Sequence, residues 1–361
     1  MIGAGIIGAS IAWHLTARGA EVTIVDAGEP GGVATPCSFA WINASWGNPE
    51  PYYRLRIRSM TQWRKLAAAI PAIELSWCGG LCWDQPADSL EAYAEEHGRW
   101  GYGVRIVERA EAVRIEPNLK EAPDVALHVA EEGAVEPRPA ALALLTDAGR
   151  HGARLMTGSA VLGLDVQHGR VCGVSTAEGT LPADEVVLAA GAGTPAIAAM
   201  AGIHLPLDTP PGLLVHSRPY RQVLNGLVLS PGMHLRQTPE GRIVTGADFT
   251  GADPGADPAE TARALFLRSK TALRNADDLE LDYHTIGYRP TPADGFPAIG
   301  RPIGSDGLYI AVMHSGVTLA PIVGQSVAEE ILDGRDEPLL APYRVARFEK
   351  SAVSAKTLVR Q

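Results

Sequence analysis

The sequence predicts an α/β protein: a discontinuous, Rossmann-like nucleotide-binding domain joined to a second domain with a mainly antiparallel sheet. Three observations predict it. A G-x-G-x-x-G run stands at Gly3, Gly5 and Gly8, directly before a helical pattern. Strand and helix signals alternate near both ends, as in parallel βαβ units. The middle offers short strands separated by glycine turns, which suits antiparallel pairing.

Along the chain, the glycine run comes first. Its first glycine permits a tight turn out of a strand, its second lets backbone approach a pyrophosphate, and its third lets the next helix pack on that strand. Only Met1 and Ile2 precede it, so the leading strand is shorter than the motif usually has. Ile6, Ile7, Ile11 and Leu15 recur at helical spacing, and Gly19 ends that helix. EVTIVD (21–26) reads as a buried strand closing on an acid. Asp26 follows Gly8 by about 18 residues, where a carboxylate accepts bonds from ribose hydroxyls and repels a 2′-phosphate. The competing reading is a glycine-rich turn with an incidental aspartate.

Further on, residues 49–70 form a long helical pattern ending before Pro71, and 74–84 read as paired short strands. Residues 131–156 read as a loop followed by a helix with Pro139 in its first turn. Residues 158–193 hold three or four strands, and 234–249 a hairpin around Glu240-Gly241. Residues 257–279 form an amphipathic helix with Asp257 as N-cap, Pro258 at the first position and Glu260 completing a capping box. GLYIAVMH (307–314) is a strand, and the following SGVTLAP opens a last helix.

Composition bounds the function. The chain has 361 residues and a net charge of −10, which argues against a nucleic-acid partner. Cys37, Cys78, Cys82 and Cys172 match no zinc pattern, so no metal is expected, and free thiols suit a cytoplasmic protein. The uncharged stretch 186–207 is long enough to span a bilayer, but Gly191, Gly193 and Pro195 break it into strand, turn and short helix. No membrane span is expected. Oligomerisation is left open.

GAGIIG, VVLAAGAGT and GYRPTPADGFPAIG…HSGVTLAP together resemble the D-amino-acid-oxidase-like family of flavoproteins, whose members include glycine oxidase and sarcosine oxidase. The resemblance covers nearly the whole chain. It implies FAD, with an FAD-binding domain from 1–70, 139–206 and 287–361, and a substrate domain from 71–138 and 207–286. By the same resemblance Gly3, Gly5 and Gly8 face the pyrophosphate, Asp26 the ribose, and Val161 the adenine. Thr35 and Ser38 line the phosphate and ribityl path, Ala40, Trp41 and Ile42 approach the flavin, and Gly191 is a central contact. Ser315, Gly316, Val317, Thr318 and Leu319 present backbone N–H groups to the flavin pyrimidine edge. That contact also has a physical reason, because a helix N-terminus favours the negative charge of reduced flavin.

The resemblance further implies that Arg289 binds a substrate carboxylate, for which a guanidinium fork is well shaped. A hydride then passes from the substrate Cα to flavin N5, and the imine hydrolyses to an oxo acid plus ammonia or an amine. His234 and His314 are secondary candidates that bond the substrate, tune the flavin or serve only the fold. Arg236 shares a strand face with His234, Tyr288 points opposite Arg289, and Trp41 and Trp46 either wall the cavity or pack the core.

Two departures matter. Sarcosine oxidases attach flavin through a cysteine near the GYRP position, but no cysteine follows Cys172 here, so FAD is expected to be non-covalent. No lysine occurs between Lys270 and Lys350, so those motifs supply none for oxygen activation. The expected reaction is oxidation of a small amino acid or N-substituted glycine, with O2 or another electron acceptor. The alternatives are a D-amino-acid or proline-type dehydrogenase, a non-catalytic FAD-binding or electron-transfer subunit, and an NAD-dependent dehydrogenase.

Overall fold

A computed structural model describes residues 1–44, 47–248 and 253–348; Trp46 lies outside them. Eight α-helices are described: α1 (Ile6–Thr16), α2 (Glu50–Ala69), α3 (Ala87–Arg99), α4 (Arg109–Ile115), α5 (Pro137–Arg150), α6 (Thr194–Ala199), α7 (Pro258–Ala272) and α8 (Gly316–Asp333).

The fold is α/β, with one mixed layer and a larger, mainly antiparallel sheet. In the mixed layer Thr23–Val25 pairs in parallel with Arg154–Met156. Ile2 bridges both Val25 and Leu188 in parallel. Val186–Leu188 then pairs in parallel with Leu308–Val312, and Ala298–Gly300 closes the edge antiparallel. The central strands Val186–Leu188 and Leu308–Val312 are buried on both faces, which explains their continuous apolar runs. α1 packs between α5 and α8, and α2 covers α8.

The second sheet has eight strands. From one edge they are Leu281–Tyr288, Pro211–Ser217, Ile243–Gly246, Met233–Gln237, Leu227–Ser230, Gly80–Cys82, Val125–Val129 and Val104–Glu108. Only Leu227–Ser230 against Gly80–Cys82 is parallel. The hairpin around Glu240-Gly241 forms as expected, with His234 opposite Gly246. The 74–84 stretch differs from its reading. Leu75–Ser76 pairs with Gly133–Val135, while Gly80–Cys82 joins the large sheet, so the two strands are not partners. Long-range pairing outweighs proximity in sequence there.

Local chemistry explains the helix ends. The Asp257 carboxylate accepts from the amides of Ala259 and Glu260, and Pro258 opens α7. α7 stops at Ala272, short of the expected 279. α8 carries Pro321 inside it. Proline has no N–H, so the carbonyl of Val317 lacks its usual helical donor. Trp63 of α2 supplies one, its Nε1 donating to Val317 O at 3.0 Å. Ser59 Oγ donates to Thr318 O at 2.6 Å and accepts from Ile322 N at 3.4 Å, inserting into the next rung. α2 thus completes the first turns of α8.

Candidate active site

A cavity of about 1280 Å³ opens between the two sheets. Small-ligand sites usually enclose about 300–1,000 Å³, so this one has room for a dinucleotide and a small substrate.

One wall is mostly backbone. Gly3 and Gly5 line it as the chain turns into α1. Gly3 has φ +104°, and a Cβ there would collide with the Ala189 carbonyl. Gly5 is different: its missing Cβ would stand 3.4 Å from Thr35 Oγ1, an ordinary distance, so its bareness serves the open cavity. Thr35 lines the wall, and its hydroxyl accepts from Ile6 N at 3.2 Å, capping α1. Asp26 stands at the end of its strand. One carboxylate oxygen accepts from Ala4 N at 2.6 Å and the other from Gly28 N at 2.8 Å. These two bonds fix the carboxylate in place. Val161 and Gly191 border the same space.

Ser38, Ala40 and Trp41 continue the lining. Ala40 has φ 65° and Ser315 φ 60°, a region that costs ordinary residues strain. Both stand at the cavity. Ser38 Oγ accepts from Ala40 N at 3.0 Å and steadies that turn. Trp41 Nε1 donates to Glu132 Oε2 at 2.8 Å, and the Tyr102 hydroxyl donates to the other oxygen of the same buried carboxylate.

At the N-terminus of α8, Ser315, Gly316, Val317 and Thr318 line the cavity. Three expected contacts do not reach it: Gly8, Ile42 and Leu319 are outside the lining and buried. Gly8 packs so closely under Gly3 that a Cβ would strike the Gly3 carbonyl, so its role is helix-to-strand packing. Ile42 follows Trp41 on a two-residue strand and faces the core, and Leu319 of α8 packs into the same core.

The opposite wall is made of side chains. Arg289, His234 and His314 all line the cavity, with Asp248 beside them. Burial lowers the Arg289 guanidinium from its ordinary value while Asp248 opposes the shift; it stays charged at any ordinary pH. Burial, then the charges of Arg289 and Arg56, holds His314 down at about 4, so it is neutral at pH 7. His234 Nε2 stands 3.5 Å from Asp84 Oδ2, both side chains nearly inaccessible. Arg236 is elsewhere: it pairs with Glu136 at 2.5 Å and is not a lining residue. Tyr288 is half-exposed at the rim.

Cys37 and Arg56 are among the lining residues that escaped the sequence reading. Cys37 reaches the GYRP stretch from a distant segment, so close that a Cβ on Gly287 would meet its own Cβ. Burial pushes its thiol up, which disfavours the reactive thiolate. Arg56 of α2 also borders the cavity. The signal for it was present: Arg56, Ser59 and Trp63 are spaced i, i+3 and i+7, one face of a helix.

Among the described residues, no helix is long and apolar enough to cross a membrane. Comparison with known proteins agrees with the geometry. The family model described as DAO, FAD dependent oxidoreductase, matches residues 1–330. The glycine oxidase of Pseudomonas putida is 30% identical over 95% of this chain and 96% of its own length. The crystal structure of L-proline dehydrogenase from P. horikoshii superposes with a TM-score of 0.87 at 28% identity, covering 97% of each chain. Glycine oxidase from Geobacillus kaustophilus superposes with a TM-score of 0.86 at 26% identity, covering 96% of this chain and 97% of that one. The match runs through both walls of the cavity, and the chain belongs to the DAO family of FAD-dependent oxidoreductases.

Proposed function

We propose that the protein oxidises the C–N bond of a small amino acid or N-substituted glycine, with Arg289 holding the substrate carboxylate. The observation that carries this reading is one cavity lined by two helix N-termini, a buried guanidinium and two histidines. Bound FAD would supply the two-electron acceptor. Gly3, Gly5 and the start of α1 would hold its pyrophosphate, Asp26 its ribose, and the start of α8 its pyrimidine edge. Gly8, Ile42 and Leu319 support that cradle from behind.

Arg289 can take a carboxylate through two parallel bonds, which orients the substrate Cα. His314, neutral at pH 7, offers a hydrogen bond without competing for the carboxylate charge. The Asp84 partner orients His234 toward the same space. The division into 1–70, 139–206 and 287–361 against 71–138 and 207–286 goes with this reading: Gly3 and Ser315 fall in the first set, and Leu214, His234 and Asp248 in the second. The thiol of Cys37, pushed up by burial, supports non-covalent FAD. The P. putida relative, a glycine oxidase, supports a small amino-acid substrate.

A second reading, a proline-type dehydrogenase, is favoured by the likeness to L-proline dehydrogenase and by the lysine-free run between Lys270 and Lys350. One experiment addresses both. Purified protein is given glycine, sarcosine, D-alanine, D-proline and L-proline in turn without oxygen, and the flavin bands are followed. Bleaching by glycine or sarcosine is the expected result; bleaching by proline alone selects the second reading. Return of colour in air marks an oxidase. A flavin that none of these bleaches refutes the substrate class.

A further inference from the structure

Arg56 is the part of the cavity wall that the reading above leaves unused. It is 6% exposed. Its Nε donates to Asn43 O at 3.0 Å, its Nη2 to Asn43 Oδ1 at 2.6 Å, and its Nη1 to Ser315 Oγ at 3.0 Å. Its Cζ lies 5.3 Å from the Tyr52 ring centroid. Each of these partners is neutral. A guanidinium does not give up its proton, so a permanent positive charge is buried against the N-cap of α8. Burying a cation among neutral dipoles is unfavourable unless an anion arrives to use it. Its field reaches the site, since Arg56 contributes to holding His314 neutral.

The proposed reaction has three demands for positive charge. The pyrophosphate is met by α1 and its glycine turn, and the carboxylate by Arg289. The third arises only during turnover. A neutral amine loses a hydride from Cα and becomes an iminium, which water converts to an oxo acid and ammonium. The two electrons that leave with the hydride place one net negative charge on the flavin, at its pyrimidine edge. α8 begins with a left-handed Ser315 that lines the cavity and whose hydroxyl accepts from Arg56.

We propose that Arg56, bonded to the α8 N-cap through Ser315, is the counter-charge for that negative flavin edge. This rests on the amine-oxidation reading for its electron donor, and on FAD for its acceptor. Arg56 is a positioning residue in that it acts together with the N-terminus of α8, which has partial positive charge of its own. The hold of α2 on α8 through Ser59 and Trp63 fixes the distance between the two.

The test compares FAD-loaded wild type with Arg56→Gln, which keeps N–H donors for Asn43 and Ser315 but drops the charge, and Arg56→Lys, which keeps the charge. Two readouts are independent of turnover. Sulfite adds to oxidised flavin and creates the same negative charge without any amine, so its Kd is measured by bleaching. The midpoint potential is measured against a reference dye. Arg56→Gln is expected to weaken sulfite binding at least tenfold and to lower the potential by about 30 mV or more, the equivalent of tenfold for a two-electron couple. Arg56→Lys should stay within about threefold of wild type on the same scale. Wild-type values in Arg56→Gln overturn the proposal. Equal losses in both variants overturn it too, because they assign the effect to bond geometry. The expected sulfite and potential shifts, in a protein that no amine bleaches, uphold the role of Arg56 and refute only the substrate class.

Discussion

The two walls of the cavity are made of different material. The wall at Gly3, Gly5, Asp26 and Thr35 is backbone and short side chains from one continuous stretch of chain. The facing wall gathers Arg56, His234, Arg289 and His314 from four separate segments. On the proposed reading the first would bind by the shape of a turn, and the second by polar and charged side chains brought together by topology. Damage to the first should therefore cost folding and cofactor, and damage to the second should cost turnover or potential in a protein that still folds.

The strongest way to break this contrast is Gly8→Ala. Its Cβ would overlap the Gly3 carbonyl, and backbone cannot give way as a flexible side chain can. We expect a loss of about 3 kcal/mol or more, seen as a lower urea midpoint and as protein purified without colour. Wild-type stability would show that the wall is not built on this contact. On the other side, Arg289→Ala should lower kcat/KM by about 2–4 kcal/mol, a factor of roughly 30 to 1,000, while yellow colour and melting temperature are kept. Equal loss of colour in the two variants would erase the distinction between the walls.

Acid sharpens the comparison. His314 and His216 are both held at about 4, mainly by burial, against an ordinary 6.5. The unfolded chain binds these protons first, so native stability should fall as pH drops from 6.5 through 4. The loss is on the order of 3 kcal/mol for each histidine. Glu116, in the large-sheet region, slopes the other way. Burial raises it to about 7 from 4.5 despite amide bonds from Asn225 and Gly226, so its contribution is lost as pH rises from 4.5 through 7. Urea titrations at several pH values should show a shallower acid limb in His314→Gln and a gain above pH 7 in Glu116→Gln.

Smaller effects complete the series. Trp41→Phe removes a donor from buried Glu132 and should cost about 1–3 kcal/mol of stability. Gly5→Ala meets only ordinary contacts and should change apo-protein stability by less than about 1 kcal/mol while weakening FAD binding, read by flavin titration.

The same contrast explains what the sequence disclosed. The glycine turn, Asp26 and the α7 cap are local patterns, and each lies where the motif puts it. α3 begins after Pro86 without a side-chain cap, and its signal is the helical spacing of buried Leu90, Tyr93 and His97, which the reading passed over. The two strands within 74–84 found partners elsewhere, which spacing cannot reveal. Gly8, Ile42 and Leu319 sit within motifs whose neighbours reach the cavity, and a motif does not say which members form the second layer. Arg56 and Cys37 belong to the cavity only because helix and loop fold back on it, and no single window of sequence contains both them and Arg289.

Ile2 lies between Val25 and Leu188, and the strand beside Leu188 is Leu308–Val312. That arrangement sets a schedule for biosynthesis. A ribosome adding about 5–20 residues per second leaves the glycine turn without its inner neighbour until residue 188 emerges, and without Leu308–Val312 for roughly 15–60 seconds. Nascent chains stopped before α8 should therefore carry no flavin. Cellular FAD supply would then govern the yield of finished, released protein rather than the rate of its synthesis.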